Sequence, residues 1–350
     1  MAIQIKIRRD TKAEWDSADP VLLAGELGFE LKDSATSGRF KIGNGSREWS
    51  RLPYWYAYQD SAGNYVSAGG GGAVSWSGSF PVTATANTFV YDNAISAQDG
   101  AAETTVIDAF MHPDNNIIFL CGNTRDFIYQ VDLSSASDIS TASYTGTKFD
   151  TTNETSTPNA ITFSGDGTKM YIYSGKTNPN PGLFEYDLST AWDITTATLN
   201  QSNTSLNDAD YSYSIQFNAD GTKIYTASAI TETTVYEFSL SSAYDISTIN
   251  STATATFDYS TISEITDPTA LRSMRISTDG TKIYFNINSQ DKIHECTLGT
   301  AWDLSTISYS ATADVSATDA APYTLFFNSD GSEMYTINVG TDTIYQYTMS

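Results

Sequence analysis

Apolar and polar residues change places every one or two positions along most of this chain. "YSIQF", "KIYTAS" and "VYEFSL" carry the period of two that belongs to half-buried strands. Their apolar positions are β-branched or aromatic, and the sequence holds 22 Tyr and 16 Phe. Beyond residue 60 no segment shows convincing helical periodicity, so strands alone are expected there.

The alternation is organised by a repeated phrase. "SGDGTKMYIYS" at 164–174 returns as "NADGTKIYTAS", "STDGTKIYFNI" and "NSDGSEMYTIN". A degenerate first copy, "HPDNNIIFLCG", has Asn115 where the others have Gly167, Gly221, Gly280 and Gly331. The turn aspartates are Asp114, Asp166, Asp220, Asp279 and Asp330, a period of 51 to 59 residues. Asp-Gly between strand-like runs predicts a hairpin, and glycine supplies the positive φ such a turn needs. Each copy has one strand before the turn and a second after it. A third is of the type "LFEYDL", and a loop of the type "STAWDITTATL" leads into a fourth. Four antiparallel strands repeated radially make a propeller blade, so the repeat predicts a five-bladed β-propeller.

The fifth copy reaches Ser350 after its third strand. "TATANTFVYD" at 83–92 resembles the fourth-strand segment "TATATFDYS" and precedes the first full repeat. This N-terminal strand is expected to complete the last blade and remove the sheet edges an open ring would expose. In such a ring Cys121 and Cys296 fall in blades that are not neighbours, which predicts free buried thiols.

The first sixty residues differ. "IQIKIRR" alternates as a strand, Thr11 and Glu14 form a capping box for a short helix, and "GRFKIGNGSREWSRLPYW" reads as a strand, a turn and an aromatic finish. Three domains are expected: 1–60, a Gly-rich linker at 61–75 containing Gly69 to Gly72, and the propeller at 76–350. The fold class is mainly β, a small α+β domain followed by the five blades.

Charge separates these regions. Residues 1–60 hold nine basic and nine acidic side chains, so the net −23 lies beyond them. Such a surface repels phosphate backbones and excludes nucleic acid as a partner. There is no apolar run of about 18 residues and no basic-then-apolar leader, so neither membrane insertion nor conventional secretion is expected.

Chemistry is sparse. His112 and His294 stand in different blades, and no metal-spaced histidine pair exists. The five inner strands contain one carboxylate, Asp108, too few for paired acid–base hydrolysis. Arg272 and Arg275 lie on the fourth inner strand, where they could pair with Asp108 or line the channel. Asp138, Asp193, Asp245 and Asp303 are expected to cap their turns, and the aromatics before three of them to pack against the blade. One feature recurs on the face carrying the 2-to-3 and 4-to-1 loops. A carboxylate stands 11 or 12 residues before each turn aspartate: Glu103, Glu154, Asp208, Asp267 and Asp319. These are candidate oxygen ligands for Ca²⁺ or a cationic group, the alternative being a solvated acidic rim. No other cofactor is expected.

Two resemblances add to this reading. The "DGTKIY" phrases resemble the repeats of TolB-like and YVTN-type propellers, which speaks to fold and not to function. The words "IQIKIRRDTKAEW", "LLAGELGFE" and "GRFKIGNGSREWSRLPYW" resemble the major-tropism-determinant type of N-terminal domain found on bacteriophage tail fibres. That resemblance implies a homotrimeric, non-enzymatic tail-fibre or receptor-binding protein, made in the host cytoplasm and carried on the virion tail. Residues 1–60 would dock on a tail, baseplate or other virion protein. The loops of the propeller's variable face would bind a host surface glycan or protein. The alternatives are a virion-borne polysaccharide-degrading propeller and a purely structural virion component.

Overall fold

The computed structural model describes the backbone at 8–11, 27–31, 39–42, 54–59 and 65–68, and the chain at 76–174, 182–204, 212–228 and 232–350. Two compact units emerge, Met1–Ala73 and Val74–Ser350.

In the first unit, β1 (Arg8–Thr11) runs parallel to β2 (Leu27–Leu31). Antiparallel β3 (Arg39–Ile42), β4 (Tyr54–Gln59) and β5 (Tyr65–Ala68) complete a five-stranded sheet. The region expected to be linker from residue 61 therefore supplies a strand. Residues 65–68 pair with β4 through backbone groups that a linker would leave unpaired. The alternating Ile3 to Ile7, the helix expected after Thr11, the Asn44-Gly45 turn and Gly69 to Gly72 lie outside the described residues.

The second unit is a five-bladed β-propeller. It begins with β6 (Val82–Val90) and a helix α1 (Tyr91–Asp99). Blade 1 follows as β7 (Val106–Met111), β8 (Ile117–Gly122), β9 (Phe127–Leu133) and β10 (Ala142–Asp150). Blade 2 is β11 (Pro158–Phe163), β12 (Lys169–Ser174), β13 (Gly182–Leu188) and β14 (Ala197–Asn203). Blade 3 is β15 (Ser212–Phe217), β16 (Lys223–Ser228), β17 (Thr234–Ser239) and β18 (Ala255–Asp258). Blade 4 is β19 (Leu271–Ile276), β20 (Lys282–Ile287), β21 (Lys292–Leu298) and β22 (Ile307–Asp314). Blade 5 has β23 (Thr324–Phe327), β24 (Glu333–Asn338) and β25 (Thr343–Met349), with β6 as its outer strand. The first strands of successive blades adjoin around the ring, β23 returning to β7.

Closure is as expected. β6 pairs antiparallel with β25, from Val90 opposite Thr343 to Val82 opposite Met349. Residues 91 and 92 of the expected strand instead start α1, which corrects the expectation of strands alone. Tyr91 and Ile95, four residues apart, are buried between blades 1 and 5. Gly100 ends the helix at φ 70°. Two apolar residues are too few to register as a period. Among the described residues no helix is long and apolar enough to cross a membrane.

The core lies between blades, where the apolar faces of consecutive sheets meet. The repeated phrase builds these contacts. Asp166, Asp220, Asp279 and Asp330 each accept a hydrogen bond from the backbone two residues on, as Thr168 N to Asp166 Oδ1 at 3.0 Å. The glycine after it has an aromatic ring laid on it: Trp192 on Gly167, Tyr244 on Gly221, Trp302 on Gly280. In blade 5 the ring is Trp76, from the far end of the unit, lying on Gly331. In blade 1, where Asn115 replaces glycine, Ser137 replaces the aromatic. Both halves of the contact depart together, because a side chain at the turn leaves no room for a ring.

The tyrosine of each "KIY" phrase then joins neighbours. The Tyr171 hydroxyl donates to Tyr244 O at 2.6 Å, Tyr225 to Trp302 O at 2.7 Å and Tyr335 to Ser137 O at 2.6 Å. Trp76 Nε1 donates to the Tyr284 hydroxyl at 2.8 Å. The lysine pairs with a buried third-strand glutamate, Lys169 with Glu185, Lys223 with Glu237 at 3.0 Å and Lys282 with Glu295 at 3.1 Å.

Candidate binding face and central channel

Strands of a four-stranded meander alternate in direction, so the propeller has two faces. The Asp-Gly turns and the 3-to-4 loops share one, and it is regular. Asp138, Asp193, Asp245 and Asp303 each accept from a backbone N–H two residues on, at 2.9 to 3.0 Å, and so cap short 3₁₀ turns as expected. Trp192, Tyr244 and Trp302 are occupied with their glycines, so their repeated placement is packing.

The opposite face carries the 2-to-3 and 4-to-1 loops, which differ in length and sequence. Parts of three of them, 175–181, 205–211 and 229–231, lie outside the described residues, and Asp208 with them. Within the described residues α1 occupies the connection from blade 5 to blade 1. Asp99 at its end takes Lys148 Nζ at 2.5 Å and the Tyr144 hydroxyl at 3.2 Å.

The periodic carboxylates have local partners. Glu103 is buried and accepts from the backbone of Thr105, Thr124 and Arg125 at 2.9 to 3.2 Å, and from the Tyr129 hydroxyl at 3.2 Å. Asp319 is also buried and accepts from Ala321 N at 3.1 Å, Thr336 Oγ1 at 2.7 Å and Asn338 Nδ2 at 2.8 Å. Burial lifts its carboxyl above the ordinary range. Asp267 accepts from Thr269 Oγ1 at 2.7 Å and Ser289 Oγ at 2.8 Å. These bonds hold its carboxyl below the usual range despite slight desolvation. Glu154 stands by Tyr186, whose phenol is raised by burial first and by Glu154 second. Glu103, Asp267 and Asp319 thus each tie a 4-to-1 loop to the second strand, or the loop after it, in the following blade. Among the described residues no three His, Cys, Asp or Glu side chains gather as a metal would require. The periodicity in the sequence is real, and the structure assigns it a stapling role at these three positions.

The histidines and cysteines also stay apart. His112 Nδ1 accepts from Asp114 N at 3.0 Å, and its ring meets Trp192 edge-on at 4.6 Å. His294 is buried, with Nδ1 at 2.8 Å from Thr312 Oγ1. Burial and, less strongly, Lys292 push it down to about 4. Cys121 and Cys296 are free and buried, as expected, and burial raises both thiols.

The channel is where the inner strands act. Arg275 on β19 of blade 4 reaches Asp108 on β7 of blade 1 and also donates to Ala109 O at 3.1 Å. Asp108 is wholly buried and accepts from Ile161 N at 2.9 Å. Burial raises its carboxyl, against the pull of Arg275. Of the two channel arginines the sequence singles out, Arg275 therefore takes Asp108. Arg272 instead lies between two tyrosine rings, 5.8 Å from the centre of Tyr213 and 5.5 Å from that of Tyr323. Tyr213 and Tyr323 occupy the Arg272 position in their own blades, a correspondence readable once the five inner strands are aligned.

Comparison with known proteins bears on the two units differently. Residues 5–47 match the family described as the major tropism determinant N-terminal domain. No curated protein matches the sequence. Among solved structures, a functionally unknown protein from Desulfotomaculum acetoxidans is similar at 13% identity and TM-score 0.39, over 67% of this chain and 62% of that one. The chain thus spans under two thirds of that structure. A putative 6-phosphogluconolactonase from Bacteroides uniformis is similar at 13% identity and TM-score 0.38, over 81% of this chain and 68% of that one. The β-propeller domain of Swd1 from Myceliophteria thermophila is similar at 12% identity and TM-score 0.38, over 69% and 70%. Likenesses this distant carry no argument about function. The match at 5–47 points to a phage component resembling a tropism determinant.

Proposed function

We propose that this chain is a phage tail-fibre or receptor-binding protein. Residues 1–60 dock on a tail, baseplate or other virion protein, and the variable face of the propeller binds a host surface glycan or protein without covalent chemistry. The observation that carries this reading is the match at residues 5–47. The asymmetry of the propeller supports it, since one face is spent on repeated capped turns and the other on unlike loops. Binding rather than hydrolysis is favoured by the state of Asp108, the one inner-strand carboxylate, which is held by Arg275 and Ile161 N. Homotrimeric assembly belongs to the proposal. A TolB-like or YVTN-type ancestry of the blades would bear on fold only.

The test is adsorption. The purified full-length chain should bind host cells saturably and delay infection when added before the phage. A chain that neither binds cells nor competes with virions would overturn the reading. Reducing-sugar release from host envelope polysaccharide would replace it with the hydrolytic one.

A further inference from the structure

The group at the mouth of the channel is unlike anything else in the propeller. Tyr213 belongs to blade 3, Arg272 to blade 4 and Tyr323 to blade 5. Blades 3 and 5 are not neighbours, yet the two tyrosine rings lie 6.0 Å apart, edge to face. They meet only because both point over the axis. All three residues are half-buried. Arg272 is the second residue of β19 and Arg275 the fifth, so the Arg275–Asp108 pair lies about 10 Å deeper along the strand. Tyr213, Arg272 and Tyr323 thus stand at the loop end of their inner strands, on the side of the variable face and above that salt bridge.

The two arginines are in opposite states. Arg275 donates to a carboxylate and to two carbonyls, of Ala109 and Met274. Arg272 makes one hydrogen bond, from Nη1 to its neighbour Leu271 O at 3.3 Å. Among the described residues it meets no carboxylate within ion-pair distance. Asp267 feels its charge, but the Asp267 oxygens are taken by Thr269 and Ser289. Residues 61–350 hold 32 acidic side chains and nine basic ones. Among the described residues, then, Arg272 is a guanidinium fork whose remaining donors no carboxylate takes. It is flanked by two aromatic rings, as a preorganised receptor for paired oxygens requires.

We propose that this group binds the anionic group of an acidic sugar, a single carboxylate or phosphate seated on Arg272, with the sugar ring against Tyr213 and Tyr323. Phenol rings suit that role, offering a flat apolar face to ring C–H groups, while the Tyr323 and Tyr213 hydroxyls bond each other. The acidic surroundings narrow the choice. They repel a polyanion at long range but leave a lone anionic residue at a chain end free to reach the fork. The site rests on the reading above only for where the sugar comes from, the host surface. Free sugars test the site itself.

The full-length chain is titrated with glucuronate, glucose 6-phosphate and glucose, followed by calorimetry. At least one anion should bind saturably, and about tenfold or more tighter than glucose. Which anion binds distinguishes carboxylate from phosphate. Arg272→Gln should weaken that binding about tenfold or more with an unchanged melting temperature. Should Arg272→Gln fail to fold, Arg272→Lys keeps the charge, loses the fork and should still bind measurably more weakly. No binding of either anion, equal binding of glucose, or unchanged binding by the folded variant would overturn the proposal. A chain that adsorbs to cells but ignores all three sugars sinks the sugar site and spares the receptor-binding reading. The reverse result does the opposite.

Discussion

Arg275 spans the centre of the propeller to bond Asp108, joining blade 4 to blade 1 across the axis rather than through a shared interface. The Asp108 carboxylate is fully buried. Removing its partner strands a charge where water cannot reach it. Arg275→Met is expected to cost about 3 kcal/mol in urea unfolding. Adding Asp108→Asn should recover part of that loss, because the amide oxygen still accepts from Ile161 N. A double variant no more stable than Arg275→Met alone would show that the pair is not what matters there.

The ring on each turn glycine makes a second prediction. Gly280 sits at φ 73°, and a Cβ there would overlap the Trp302 indole. Gly280→Asn should therefore cost about 2 kcal/mol or more, the sum of overpacking and left-handed strain. Adding Trp302→Ser copies the Asn115 and Ser137 pair of blade 1. The two substitutions should be non-additive by about 1 kcal/mol in the favourable direction. Additive losses in a double-mutant cycle would contradict the coupling.

Two buried titrations oppose each other in mild acid. His294 has a folded value of about 4 against 6.5 when free. The unfolded chain therefore takes the proton first, and this contribution to stability is complete above pH 6.5 and lost as pH falls toward 4. Asp126 is raised to about 6 by burial, and further by Glu103 and Asp150. Its contribution runs the other way, present in acid and lost as pH rises from 3.8 to 6. His294→Phe, with the residue blade 2 carries at this place as Phe184, should remove the acid-side loss. Asp126→Asn should stabilise the protein at pH 7 by up to about 1 kcal/mol, the partial exposure screening the rest. Its φ of 60° suits asparagine. Melting temperatures from pH 4 to 8 would check both slopes.

The strand β6 closes the ring, and Trp76 ahead of it lies on Gly331 while bonding Tyr284 of blade 4. Deleting residues 80–95 should abolish the cooperative unfolding transition of the propeller, since both edges of the ring open at once. A deletion variant that melts like the parent would place the closure elsewhere.

The blades were legible because their signal is local and repeated. Alternation and the spacing of Asp114 to Asp330 are written five times over and the Asp-Gly turn four times, and a displaced fourth strand shows as a repeat that starts late. The capping aspartates were legible for the same reason, their partners being two residues away. What decided the rest is distance through space. Glu103 and Asp319 read as a candidate cation rim, but their partners, such as Thr124 after β8 and Thr336 within β24, come some 17 to 21 residues on. The ring closes the channel by setting Arg275 against Asp108, 167 positions apart, and gathers Tyr213, Arg272 and Tyr323 over one axis. Sequence fixes which side chains each blade offers. Only the closed circle determines which of them face each other, because the axis is a place no single repeat contains.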